Sequence, residues 1–218
     1  MTTFADWLNT FFYAYDAAIL NALHSLAESC GGFFTPFFAL ITLLGEKGII
    51  FFLAAAVMML FKKTRRMGVC LFGAVCCGAL ITNICLKDLI ARPRPFETVE
   101  LFRSFWEFVG SPAEDGFSFP SGHVTAAAAG AVALALCLGK RCIAPAAVWI
   151  VLMGVSRNYL MAHYPSDVLA AMIVGAVSAI VAYYITRLIY YVLEKHKDNK
   201  FFAFILEFDL AVHLRGAN

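Results

Sequence analysis

The chain has 218 residues, of which 61% are hydrophobic and 15% charged, with a mean hydropathy of +0.77 and a formal net charge of +2. Roughly a quarter of the residues of an ordinary soluble domain are charged, so this composition excludes that class and predicts a membrane protein. The length fits a single domain over residues 1–218, and the small net charge provides no basic field for a nucleic-acid partner.

In chain order, Phe4, Trp7, Leu8, Phe11, Phe12 and Tyr15 recur at helical spacing and predict an amphipathic helix at the membrane interface. The first basic residue is Lys47 and a positively charged n-region is missing, so a secretory signal peptide is not expected and insertion is expected to rest on internal spans. A spanning helix needs about 20 mostly apolar residues at about 1.5 Å each. Gly31 to Leu44 and Gly48 to Phe61 each fall short of that and are separated by Gly45, Glu46, Lys47 and Gly48. This pair allows either two short spans or one span with a half-inserted helix. Met67 to about Ala91, Ser121 to Gly139, Cys142 to Ala162 and Tyr164 to about Leu193 all reach spanning length. The expected fold is therefore an all-α polytopic membrane bundle of five or six transmembrane helices with added interfacial helices. Leu101, Phe102, Phe105, Trp106 and Val109 form a second amphipathic stripe, opposite Arg103, Ser104 and Glu107, inside the loop between two spans. Phe201, Phe202, Ile205 and Phe208 form a weaker third stripe.

Basic residues orient the bundle. Lys62, Lys63, Arg65 and Arg66 follow one apolar run, Lys140 and Arg141 another, and Arg187, Lys195, Lys197 and Lys200 close the last. With alternating spans these clusters share one side, which the positive-inside rule assigns to the cytoplasm. The loops at 90–120 and 157–167 are then expected on the extracytoplasmic face. Cys30, Cys70, Cys76, Cys77, Cys85, Cys137 and Cys142 show no paired metal-ligand spacing and read as small membrane-compatible side chains.

Ionisable groups in a membrane protein tend to mark functional sites, and on the loop side they collect at three helix ends. At the first, Arg92 precedes Pro93, which disfavours helix, so a helix should end near Ala91 with Lys87 in its last turn and Arg94 in an extended, Pro-flanked segment. The second is Pro120-Ser121-Gly122-His123, where Ser121 reads as the N-cap of the Ala-rich span and leaves the Gly122 and His123 amides at its positive end. The third holds Ser156, Arg157, His163 and Asp167. Lys87, Arg94 and Arg157 supply cations, Ser121 a hydroxyl, and the helix start oriented amides, all suited to the oxygens that gain charge in phosphoryl transfer, without a metal or other cofactor. His163 has a carboxylate, Asp167, one helical turn later. An Asp bonded to one ring nitrogen would fix the tautomer and leave the other nitrogen to attack phosphorus. His123 would then protonate the leaving oxygen and later help water attack the phosphohistidine.

K-x6-R-P at Lys87, Arg94 and Pro95, P-S-G-H at Pro120 to His123, and S-R-x5-H-x3-D at Ser156 to Asp167 together resemble the three signatures of the type 2 phosphatidic acid phosphatase family, the lipid phosphate phosphatases. The motif core spans residues 87–167. The resemblance implies a helical bundle with a phosphohistidine at His163, His123 as acid and Asp167 as orienting partner. It also implies phosphate contacts from Lys87, Arg94, Ser121, Gly122 and Arg157. Arg92 lies outside the family spacing and is carried as a candidate auxiliary phosphate contact. The short chain and outward-facing site resemble bacterial enzymes that dephosphorylate undecaprenyl pyrophosphate in cell-wall synthesis, which implies the bacterial cytoplasmic membrane. The expected partner is a lipid phosphate or pyrophosphate within membrane lipid. Phosphatidylglycerol phosphate, phosphatidate and diacylglycerol pyrophosphate are alternatives, as are a lipid phosphotransferase and a catalytically silent lipid-binding or transport protein. The helix around Leu101 to Val109 is expected to flank a lateral access route.

Overall fold

In hydrocarbon every backbone N–H and C=O must find its partner within the chain, so long apolar runs fold as helices. The protein was analysed as a computed structural model that describes residues 2–215. Among the described residues there are helices and turns and no strand. Helices α1 (Thr3–Phe11) and α2 (Tyr13–Ser29) are followed by α3 (Thr35–Leu44) and α4 (Ile49–Leu60), joined by a tight turn at Glu46–Gly48. Helix α5 (Arg65–Ala79) widens through a π-helical stretch, Leu80–Leu86, into α6 (Lys87–Ile90). The long loop that follows carries α7 (Pro95–Thr98) and α8 (Glu100–Phe108). Three further long helices, α9 (Gly122–Leu138), α10 (Ile143–Tyr159) and α11 (Pro165–Lys195), precede the short α12 (Lys200–Glu207) and α13 (Leu210–Arg215).

Four helical runs are long and apolar enough to cross a membrane: Thr35–Leu60, Arg65–Thr98, Lys140–Tyr159 and Pro165–Lys195. The shorter apolar α9, with 17 residues, is the remaining candidate. By length and composition the two short apolar segments before Lys62 count as one candidate run, which bends at the left-handed Lys47 and Gly48 between α3 and α4. The other predicted spans agree with α5–α6, α9, α10 and α11 to within a few residues.

Helix α9 sits at the centre, packed against α5, α10 and α11. Its small side chains make this close packing workable, because lipid offers no hydrophobic drive and helices hold together through contact. Ala127, Ala128, Ala129 and Ala133 are buried along it. On α11, a Cβ at Gly175 would lie 2.6 Å from both the Ala128 Cβ and the Thr125 carbonyl oxygen, so this crossing admits only glycine.

The two ends of the bundle differ in chemistry. At one, Lys62 pairs with Glu207, Arg65 donates to the carbonyls of Ile205 and Phe208, and Arg66 lies over the Tyr190 ring at 5.5 Å. At the other, α1, α2 and α8 form a cap. The stripe on α8 does not simply face lipid: Phe102 and Phe105 are buried with Leu20, Met161 and Tyr164, while Leu101 and Phe108 remain exposed. The first stripe is likewise anchored on protein, with Ala5 and Leu8 packed on Ile90.

Candidate active site

The three helix ends singled out in the sequence converge at the capped end. Helix α6 stops at Ile90 because Ala91 takes a left-handed conformation (φ +51°) and Arg92 precedes proline. The π-helical stretch before it shifts the helical register just ahead of Lys87, a distortion common at functional sites. Lys87, Arg94, Gly122, His123, Arg157 and His163 all line one cavity of about 700 Å³. Ser121 and Asp167 stand behind this lining, each fully buried.

The cations are anchored in different ways. Arg94 donates to the backbone carbonyls of Gly116 (3.0 Å), Ala162 (2.8 Å) and Asp115 (2.7 Å), which fixes its guanidinium in the wall. Arg157 keeps a buried Nε without a partner. Ser121 occupies the N-cap position of α9 in extended conformation, as predicted, but its side chain makes no capping bond, and its buried Oγ has no partner. These orphaned donors beside the Gly122 and His123 amides suit an anion, since a buried unpaired donor costs about 1–3 kcal/mol until something accepts from it.

The expected bond between His163 and Asp167 is replaced by a different arrangement. His163 Nδ1 donates to the Ser118 carbonyl at 2.7 Å and stands 3.8 Å from Asp167 Oδ2, beyond hydrogen-bond reach. The reason is that other donors claim the Asp167 carboxylate. Oδ2 accepts from the Ser118 hydroxyl at 2.5 Å and the Tyr164 amide at 3.0 Å, and Oδ1 accepts from Arg92. Ser118, which the sequence reading passed over, therefore stands between the histidine and the carboxylate. Because a carbonyl can only accept, it is the Ser118 carbonyl and not Asp167 that sets the tautomer, with Nδ1 protonated and Nε2 not engaged by this contact. Burial, followed by Arg94 and Arg157, holds the His163 pKa well below the usual imidazole value, so the ring stays neutral.

Arg92 is not among the residues lining the cavity. It is fully buried, donates to Asp16 Oδ2 (3.0 Å), Ser166 Oγ (2.8 Å), Asn9 Oδ1 (2.8 Å) and Asp167, and lies 3.9 Å from the Tyr164 ring centroid. The candidate phosphate contact is corrected on this geometry, because the guanidinium is directed to the rear of the site, where it ties α2 to the start of α11. Asp16, also missed in the sequence, accepts from the Ser166 amide and hydroxyl as well.

A sequence profile of the PAP2 superfamily matches residues 67–190, more than half of the chain and all three helix ends. The chain belongs to the PAP2 superfamily. It is similar to an undecaprenyl-diphosphatase of Sulfolobus acidocaldarius, 30% identical over 121 residues that cover 56% of each protein. A lipid A 1-phosphatase of Rhizobium johnstonii is 40% identical over 113 residues, 50% of this chain and 43% of the relative. That of Rhizobium etli is 39% identical over 112 residues, 50% of this chain and 45% of the relative. The chain thus matches about half the length of these relatives.

Two further carboxylates line the cavity, Glu114 and Glu46, and neither belongs to the three motifs. Glu114 Oε2 pairs with Arg94 Nη1 at 3.1 Å, and Oε1 pairs with Arg157 Nη2. Burial alone would raise the Glu114 pKa, but Arg157 and Arg94 outweigh it and hold the carboxyl below its usual range. Glu46 Oε2 lies 3.0 Å from His123 Nε2. The sequence signal for Glu114 was an acidic pair, Glu114-Asp115, inside the loop joining two basic motifs. For Glu46, which the sequence places as a candidate for the outer rim, the signal was a carboxylate in the turn Gly45-Glu46-Lys47-Gly48, and it does line the cavity.

Proposed function

We propose that this protein is a membrane-embedded phosphatase that hydrolyses a lipid phosphate or pyrophosphate, undecaprenyl pyrophosphate being the leading candidate, through a phosphohistidine at His163. One observation carries the reading: two histidines and the cations Lys87, Arg94 and Arg157 line a single cavity, and the histidine fixed by Ser118 keeps its Nε2 free. Arg94, Arg157, Lys87, the Ser121 hydroxyl and the α9 amides hold the phosphoryl oxygens and take up the charge that develops on them. His163 Nε2 attacks phosphorus while Nδ1–H stays on the Ser118 carbonyl. The Asp167 charge, 3.8 Å away, stabilises the phosphorylated ring, which is cationic. His123 supplies the proton to the leaving oxygen and then takes one from the attacking water. Since fixed cations meet the phosphoryl charge, the reaction proceeds without a metal ion.

The diphosphate assignment is supported by the undecaprenyl-diphosphatase relative, and the lipid A 1-phosphatases point to the same class of headgroup chemistry. The basic end of the bundle supports an orientation with that end in the cytoplasm and the cavity on the extracytoplasmic face of a bacterial cytoplasmic membrane. The fold is read as one catalytic domain over residues 1–218.

The test is phosphate release by purified protein in detergent across undecaprenyl pyrophosphate, phosphatidylglycerol phosphate, phosphatidate and diacylglycerol pyrophosphate, with and without EDTA. Release that persists in EDTA, fastest on the undecaprenyl substrate and lost in His163→Ala, is expected. Activity that persists in His163→Ala refutes the nucleophile, and loss on chelation restored by Mg2+ refutes the metal-free route.

A further inference from the structure

Outside the segment that matches the superfamily, one polar turn reaches the cavity. Gly45 to Gly48 joins α3 to α4, and the Gly48 amide closes the turn on the Gly45 carbonyl at 3.1 Å. Close packing fixes where this turn sits. A Cβ on Gly45 would lie 2.1 Å from Met153 Cε of α10. One on Gly48, at φ +69°, would lie 3.0 Å from Val75 Cγ1 of α5 and 3.1 Å from Ala126 Cβ of α9. Lys47 between them is itself left-handed, with φ +49°. The turn is therefore seated on the same three helices that carry the cavity wall, and the direction of Glu46 follows from that seat.

From this position the Glu46 carboxylate meets His123 Nε2 at 3.0 Å, with the histidine side chain 17% exposed and the glutamate 39%. This contact engages Nε2 and leaves the ring's other nitrogen, Nδ1, outside it. The other charged groups facing the ring are Arg157 from α10 and Glu114 from the loop before α9, and Glu114 is already held by Arg94 and Arg157. Lys47, Lys87 and Arg94 are the remaining charged side chains on that side of the cavity lining, with Asp115 on the loop.

We propose that Glu46 is the positioning residue of His123: its carboxylate accepts from Nε2–H, holds the ring, and leaves Nδ1 to exchange protons with the leaving group and with water. The proposal rests on the phosphatase reading above. In the first step the bond from His163 Nε2 to phosphorus forms, the P–O bond to the lipid breaks, and the Nδ1 proton of His123 goes to the departing oxygen. In the second, water attacks phosphorus, its proton passes to Nδ1, and the N–P bond breaks with its electron pair returning to His163. Glu46 neither gains nor loses a proton. It stabilises the imidazolium, which must exist before each P–O cleavage, in a cavity whose other charges are mostly positive.

The experiment uses purified full-length protein in detergent, as wild type, Glu46→Gln and Glu46→Asp. Two substrates differ in leaving group: dioleoyl phosphatidate, whose alkoxide needs a proton, and 4-nitrophenyl phosphate, whose phenolate does not. A positioned general acid contributes about 10²–10⁴ in rate, so loss of its support should lower kcat on phosphatidate by about tenfold in Glu46→Gln, with KM unchanged. The alkaline limb of kcat on phosphatidate should move to lower pH, because the acid loses the charge that keeps it protonated. Turnover of 4-nitrophenyl phosphate should change little, and Glu46→Asp should fall between. Equal losses on both substrates mark a merely structural turn and overturn the proposal, as does an unmoved pH limb on phosphatidate. Wild-type protein that releases no phosphate from any substrate overturns the phosphatase reading instead.

Discussion

Replacing Glu114 by Gln keeps the shape of the loop and removes the charge that sits on Arg94 and Arg157. Both guanidiniums are assigned to the phosphate, so an incoming phosphoryl group must displace a carboxylate that is only 11% exposed and bonded to both. Charge-assisted hydrogen bonds contribute about 1.5–3 kcal/mol each, roughly twice the neutral kind. Exchanging carboxylate for amide therefore weakens each of the two contacts by about 1 kcal/mol, or about 2 kcal/mol together. Phosphate recovers that difference when it binds, which corresponds to about thirtyfold tighter binding at about 1.4 kcal/mol per factor of ten. The assay is competitive inhibition by inorganic phosphate and by vanadate, with the lipid substrate held near its KM. Because the Glu114 pKa is held below its usual value, the carboxylate stays ionised as pH falls toward that range, so the gain should be constant from pH 5 to 8. Unchanged or weaker inhibition of Glu114→Gln refutes the reasoning. A fall in kcat at constant KM also refutes it, since the carboxylate would then take part in turnover rather than occupy the anion site.

Arg92→Ala should leave Asp16 and Asp167 buried without their cation, a change that costs about 3–5 kcal/mol, and a clear fall in the detergent melting temperature is expected; normal stability with only a raised KM would restore Arg92 as a phosphate contact. Asp167→Asn should lower kcat by about 10²-fold or more with substrate binding nearly intact, by analogy with other positioned general-base systems. Ser118→Ala, which keeps the carbonyl on His163 and removes the hydroxyl from Asp167, should give a smaller loss, and equal losses would mean that the two act as one unit. For His163 the depressed pKa predicts a neutral ring at pH 6 in NMR spectra of selectively labelled protein. The unfolded chain binds that proton near the ordinary value of about 6.5 while the folded one does not, so this group's contribution to stability falls as pH drops below that value. A His163 signal titrating at the ordinary value refutes the assignment.

The spans were legible because their signal is local: a run of apolar residues long enough for a bilayer reads the same in any tertiary context, and α5–α6, α9, α10 and α11 match their predicted ranges closely. The paired runs around Gly45 to Gly48 were ambiguous because each is short for a span, and the seat of the turn between them, against Met153, Val75 and Ala126, is set by packing that the sequence does not show. That Lys87, Arg94, Arg157 and both histidines would meet was legible from their spacing at helix ends, and they line one cavity. Their partners were not. Asp16 directly follows a stripe that suggests surface anchoring, yet it reaches Arg92 across 76 residues of chain and Ser166 across 150. Ser118 sits two residues before a motif and shows nothing of its role in isolation.

His163, His123, Asp167, Lys87, Arg94, Ser121, Gly122 and Arg157 were singled out from residue type, position and the family resemblance, and the structure brings them together at one end of the bundle, six in the cavity lining and Ser121 and Asp167 buried behind it. Which groups hold those residues was decided by the tertiary structure. The carboxylate of Asp167 is claimed by Arg92, Ser118 and the Tyr164 amide, so the histidine turns to a carbonyl. Hydrogen bonds are short-ranged and each lone pair is shared among the donors that actually reach it, and that competition exists only once α2, α6, α9 and α11 have come together.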